Sequence, residues 1–95
     1  MYTRVTTYNV DPSKIDEAIA GMEGIKNKIQ SISGLQIAIS SMQSSGRGVV
    51  TAVYDSQESA DAALPVVREV WSNFGDLLLG APDSQGYEMV EDMLS

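Results

Sequence analysis

Apolar and polar positions along the chain change period several times, and each change marks an element. Residues 3–10, TRVTTYNV, are rich in Thr, Val and Tyr with apolar side chains in both phases of a period of two, which predicts a strand. Asp11-Pro12 reads as a helix start, because Asp accepts from the first free amides and Pro needs no donor at N1. From there Ile15, Ile19, Met22, Ile25, Ile29 and Ile32 recur at helical spacing, with Lys14, Asp16, Glu23 and Lys26 off that stripe. Gly34 closes the helix as a left-handed cap, with Leu35 packing back over the last turn.

Residues 35–42, LQIAISSM, predict a second strand with Leu35, Ile37 and Ile39 on one face. A turn at 43–46 leads to a third strand, 47–54, RGVVTAVY, so the two form a hairpin. Both faces of that third strand are largely apolar, as in a central strand. Asp55-Ser56 caps a second helix, whose stripe is Ala60, Leu64, Val67, Trp71, Phe74 and Leu78. Pro65 lies inside this helix and should kink it, and the end is expected near Gly75 or Gly80. Residues 80–86 read as a loop and 87–94, YEMVEDML, as a fourth strand.

The order β-α-β-β-α-β is the ferredoxin-like arrangement of an α+β domain spanning 1–95. It implies a four-stranded antiparallel sheet with two helices on one face. The other sheet face then needs a cover. Tyr8, Val50, Ala52, Tyr54, Val90 and Leu94 are expected on it, and the expected cover is a second copy of the chain, giving a homodimer with sheets face to face.

Composition narrows the chemistry. With no Cys among 95 residues, disulfides, thiolate metal sites and cysteine nucleophiles are excluded. With no His, a Ser-His-Asp triad and imidazole metal ligands are excluded too. Thirteen acids against six bases leave a net charge of -7, with no basic footprint for nucleic acid. The longest aliphatic run, Leu77-Leu78-Leu79, is far short of the roughly 20 residues that span a bilayer. No membrane partner is expected, and the N-terminal segment has no apolar stretch of signal-peptide type, so the expected compartment is the cytoplasm.

A Thr/Tyr-rich first strand ending in Asn9, a long helix closing at Ser33-Gly34-Leu35, a hairpin and a second helix with a central Trp71 together resemble one known group. That group is the dimeric α/β-barrel superfamily, in particular its small antibiotic-biosynthesis-monooxygenase-like proteins. The resemblance covers nearly the whole chain through loose motifs, and speaks to fold more than to chemistry. It implies sheets paired in a dimeric α/β barrel and a pocket between helices and sheet for an apolar or aromatic metabolite. By the same resemblance Asn9 and Trp71 take the catalytic places, an amide for a developing oxyanion and an indole to stack on a flat substrate. Thr7, Tyr54, Arg68 and Phe74 are the expected substrate-binding residues, with no metal and no cofactor. Haem degraders of the group supply a His late in the second helix, where this chain reads Gly75-Asp76-Leu77-Leu78, so haem degradation is disfavoured.

Each residue also has an unspecialised reading. Trp71 can be the largest core residue of its helix, Asn9 a strand-end turn residue, Arg68 a solvated charge and Tyr54 interface packing. Cofactor-free oxygenation needs a phenol or anthrone held as its anion, for which Tyr8, Tyr54, Asp55, Arg68 and Asn9 are candidates. Arg4, Thr6 and Tyr8 make the first strand unusually polar for a central position, and buried polar groups need partners or a ligand. Asp16-Glu17 and Glu91-Asp92 diverge on any regular element, and the serines lack an activating base. Three function classes follow: a cofactor-free monooxygenase, a catalytically silent binding or regulatory module, and an isomerase- or dehydratase-type relative.

Overall fold

The structure, a computed structural model, describes every residue from Met1 to Ser95. Strand β1 (Tyr2–Asn9) leads through a short turn of 3-10 helix, Pro12–Lys14, into α1 (Ile15–Gly24) and α2 (Lys26–Gln30). The hairpin β2 (Leu35–Met42) and β3 (Arg47–Tyr54) follows, then α3 (Gln57–Ala62), α4 (Leu64–Ser72), a second 3-10 turn at Gly75–Leu77, and β4 (Asp83–Tyr87). The four strands pair antiparallel throughout in the order β2-β3-β1-β4. This is the ferredoxin-like sheet expected from the element order.

Local chemistry sets the helix starts. The Asp11 carboxylate accepts the Ser13 N–H at 3.0 Å and the Ser13 hydroxyl at 2.8 Å, and Pro12 follows it where no donor is required. At the second helical region Ser56 Oγ accepts the Ser59 N–H at 3.1 Å. Both regions are broken once. The first breaks at Ile25, and the second at Ala63, one residue before the first turn that Pro65 opens. The second helical region stops at Ser72, short of Gly75: the Asn73 N–H is shared between the Glu69 and Val70 carbonyls, the Phe74 N–H donates to the Trp71 carbonyl, and the chain tightens into 3-10 form.

Register fixes which side chains share a face, since directly paired residues point the same way. Tyr2, Arg4, Thr6 and Tyr8 of β1 lie opposite Tyr54, Ala52, Val50 and Gly48 of β3. This set faces the helices. It supplies two core clusters, one of Tyr2, Tyr54, Ala60 and Ala63, the other of Tyr8, Val10 and Ala18. The face opposite carries Val5, Thr7 and Asn9 with Thr51, Val49 and Arg47. The assignment of Tyr8, Val50, Ala52 and Tyr54 to the open face is therefore corrected by one residue of phase. A period of two cannot say which phase is inward when both are apolar.

Two further corrections concern strands. A bulge between Leu35 and Ile37 puts Leu35 against the Tyr2–Tyr54 cluster, while Ile37 and Ile39 pair with Val53 and Thr51 on the open face. The fourth strand is Asp83–Tyr87, within the stretch that reads as a loop, and 88–94 forms no strand. Val90 and Leu94 accordingly are not sheet residues, and Leu94 is fully exposed. An edge strand needs only backbone pairing with β1, and here Gly86 leaves room for the Tyr2 hydroxyl lying over it.

Candidate functional site

The helices do not seal the inner face of the sheet. Only eleven residues are buried, and Ile19, on the inward stripe of α1, is 49% exposed. Two hollows open between the layers. The larger, about 740 Å³, runs along α1, α2 and the β2–β3 hairpin; the smaller, about 590 Å³, lies between α4 and the 78–84 segment. Both reach Arg4, Thr6, Val67, Trp71 and Leu78, which form their common wall.

Trp71 stands at the centre of that wall. Its ring centroid is 5.4 Å from that of Tyr8 and 6.3 Å from that of Phe74, tilted by 53° and 61°. Trp71 and Phe74 meet because three residues bring helical side chains onto one face, and Tyr8 comes from the facing strand. The arrangement depends on two glycines. The Tyr8 ring covers Gly48, where a Cβ would collide with Cζ, and a Cβ on Gly21 would come within 2.9 Å of the Phe74 ring. Tilted aromatic rings of this kind leave π-faces for a flat ligand.

Polar groups punctuate the apolar lining. The Tyr8 and Ser40 hydroxyls share a hydrogen bond of 2.8 Å, and those of Thr6 and Ser84 one of 2.9 Å. Arg4 is mostly buried, its Cζ 5.7 Å from the Tyr2 ring centroid, and its Nη2 lies 3.6 Å from Asp61 at the surface. Burial pushes the Tyr54 phenol above its ordinary value near 10, against a weaker downward pull from Arg4. No three Asp or Glu residues come together in a metal-binding group.

Of the residues singled out in the sequence, Trp71, Phe74, Tyr54 and Arg68 line the hollows, Arg68 as an exposed residue of the smaller one. Asn9 and Thr7 are exposed and belong to the opposite face of β1, so the fold does not bring Asn9 to Trp71 within one chain. Arg4, Thr6 and Tyr8 occupy the cleft side instead. Their signal was the polarity of a central strand; which half of the alternation faced the helices was the missing fact.

No protein-family model matches the chain, and neither does any curated protein. Solved structures do. A candidate antibiotic biosynthesis monooxygenase from Deinococcus radiodurans is 15% identical, with a TM-score of 0.81 over 98% of this chain and 96% of its own. One from Caulobacter crescentus is 19% identical, with a TM-score of 0.80 over 95% and 90%. A protein of unknown function from Nitrosomonas europaea is 15% identical, with a TM-score of 0.79 over 99% and 93%. The fold is thus the one these proteins share, in agreement with the likeness read at Ser33-Gly34-Leu35 and along the element order.

Proposed function

We propose that this chain is a homodimeric protein that binds a flat, largely apolar metabolite in the cleft at Trp71 and oxygenates it without a cofactor. The observation that carries the reading is the aromatic cluster of Tyr8, Trp71 and Phe74 lining a hollow of about 740 Å³, a size suited to a small aromatic molecule. Similarity in fold to candidate antibiotic biosynthesis monooxygenases supports the reaction class.

The substrate class is a phenol or anthrone whose anion reduces oxygen directly. A ring carbon bearing hydrogen forms a bond to one oxygen atom, the O–O bond breaks, and the second atom leaves as water with the two hydrogens lost from substrate. Substrate is oxidised by four electrons and O2 takes all four, so no outside reductant is needed. Trp71 stacks on the ring, while the hydroxyls of Thr6 and Tyr8 orient its oxygen. Within the cleft Thr6 does the positioning first expected of Asn9, and Asn9 and Thr7 belong to the face that pairs with the second copy.

A second reading, a binding module without catalysis, is favoured by one feature. The smaller hollow has no carboxylate among its lining residues, and the larger has only Glu23, which is paired with Lys26 at 3.0 Å. A substrate would have to enter already ionised. Oxygen uptake measured with anthrone and 1-naphthol separates the readings. The expected result is one O2 per substrate and a loss of about tenfold in Trp71→Ala, on the scale of one stacking contact. Saturable binding without uptake supports the silent module; absence of both overturns the cleft as a ligand site.

A further inference from the structure

Arg4 is the anomaly of the cleft. It sits on a central strand, its side chain only 14% exposed, yet its guanidinium is poorly compensated. Nη1 is the one buried side-chain nitrogen or oxygen in the protein that has no hydrogen-bond partner. Charged donors left unpaired inside a protein are among the most costly polar defects. The only carboxylate near it, Asp61, is 3.6 Å from Nη2, beyond good hydrogen-bond distance, and its side chain is 57% exposed. The Tyr2 ring beneath the guanidinium offers a π-face to the cation but accepts no in-plane hydrogen bond.

Packing alone does not call for this residue. A Met or Leu at position 4 would fill the space between Tyr2 and Thr6 without an orphaned donor. The Arg4 side chain lines both hollows and adjoins the shared wall at Trp71, where a ligand ring would lie. A planar fork of donors is the geometry that receives a carboxylate or an ionised phenol oxygen.

We propose that Arg4 is the specificity-determining residue of the cleft and that it selects flat aromatic ligands carrying an anionic oxygen. This rests on the cleft reading and deepens it, since an ionised substrate answers the shortage of a base. The protein as a whole carries a charge of -7, which repels anions at long range, so any preference for an anion has a local source.

The test compares trans-cinnamate with trans-cinnamamide, which match in shape and differ in charge. Binding is followed by NMR through the indole N–H of Trp71, the only tryptophan. The wild-type chain should bind cinnamate on the order of tenfold more tightly than the amide, as one charge-assisted hydrogen bond would give. Arg4→Gln should bind both with the affinity of the amide. Lys28→Gln, the same charge change at an exposed helix residue that lines neither hollow, should retain the preference. Equal binding of the two ligands by wild type, or a preference that survives in Arg4→Gln, overturns the proposal and leaves the cleft standing. If neither ligand moves the Trp71 resonance, the cleft reading fails and this proposal with it. Should Arg4→Gln not fold by circular dichroism, the wild-type comparison and Arg4→Lys, expected to keep only part of the preference, still decide.

Discussion

Tyr54 shows how one residue acquires two properties from its surroundings. It is 2% exposed, wedged among Tyr2, Ala60 and Ala63, and that burial disfavours the phenolate and raises its pKa. A group whose folded-state pKa is raised contributes stability that is whole below its unfolded value, near 10, and is lost as pH rises through the folded one. Urea unfolding from pH 8 to 11 should therefore show stability falling above about pH 10, and Tyr54→Phe should flatten that fall. The sequence singled out Tyr54 both as a substrate-binding candidate and as a residue of the open face. Both faces of β3 are apolar, so composition could not orient it; the pairing Tyr2↔Tyr54 does. Arg4, Thr6 and Tyr8 were conspicuous as polar residues on a central strand, and the same register turns them toward Trp71.

At the level of elements, the chain reads well wherever an end is chemically marked. Asp11 and Ser56 cap the helical regions; Gly34, expected as the helix cap, instead lies four residues beyond the end of α2 at Gln30, where its φ of 81° turns the chain into β2 and its carbonyl accepts the Asp55 N–H at 2.8 Å. Ser56→Ala removes one of these caps and should destabilise the fold by about 1 kcal/mol, read as a lower urea midpoint at unchanged slope. The β4 edge was illegible for the opposite reason. DSQGY has no hydrophobic alternation, being exposed at every position, and is held by backbone bonds to β1 and the Thr6–Ser84 contact. YEMVEDML carries more apolar residues, yet only Tyr87 pairs, with Thr3, and beyond it Met89 and Met93 are 94% and 85% exposed.

At the scale of the molecule, the uncovered sheet face is the feature that asks for a partner. Val5, Val49 and Val53 lie on it with Ile37 and Ile39, the last 56% exposed. Apolar surface covered there would stabilise a pair by about 25 cal/mol per Å², which is the physical ground of the proposed homodimer. Val53→Glu places a charge opposite Ile37 and Thr3 on that face. Native mass spectrometry should find the wild type near twice its 10.2 kDa chain mass and this variant at the chain mass itself. No helix is long and apolar enough to cross a membrane.

By itself, the sequence determined the element order, the caps, the hairpin and the aromatic stripe of the second helical region, because each is written in short-range spacing. It also removed imidazole and thiol chemistry before any fold was known. Tertiary structure decided which phase of β1 and β3 faces the helices, and so set Arg4 and Thr6 on the cleft side with Trp71 and Asn9 on the opposite face. Alternation fixes two faces but not their neighbours. Only the pairing of distant strands, and the helices lying across them, gives one face a cleft and leaves the other open.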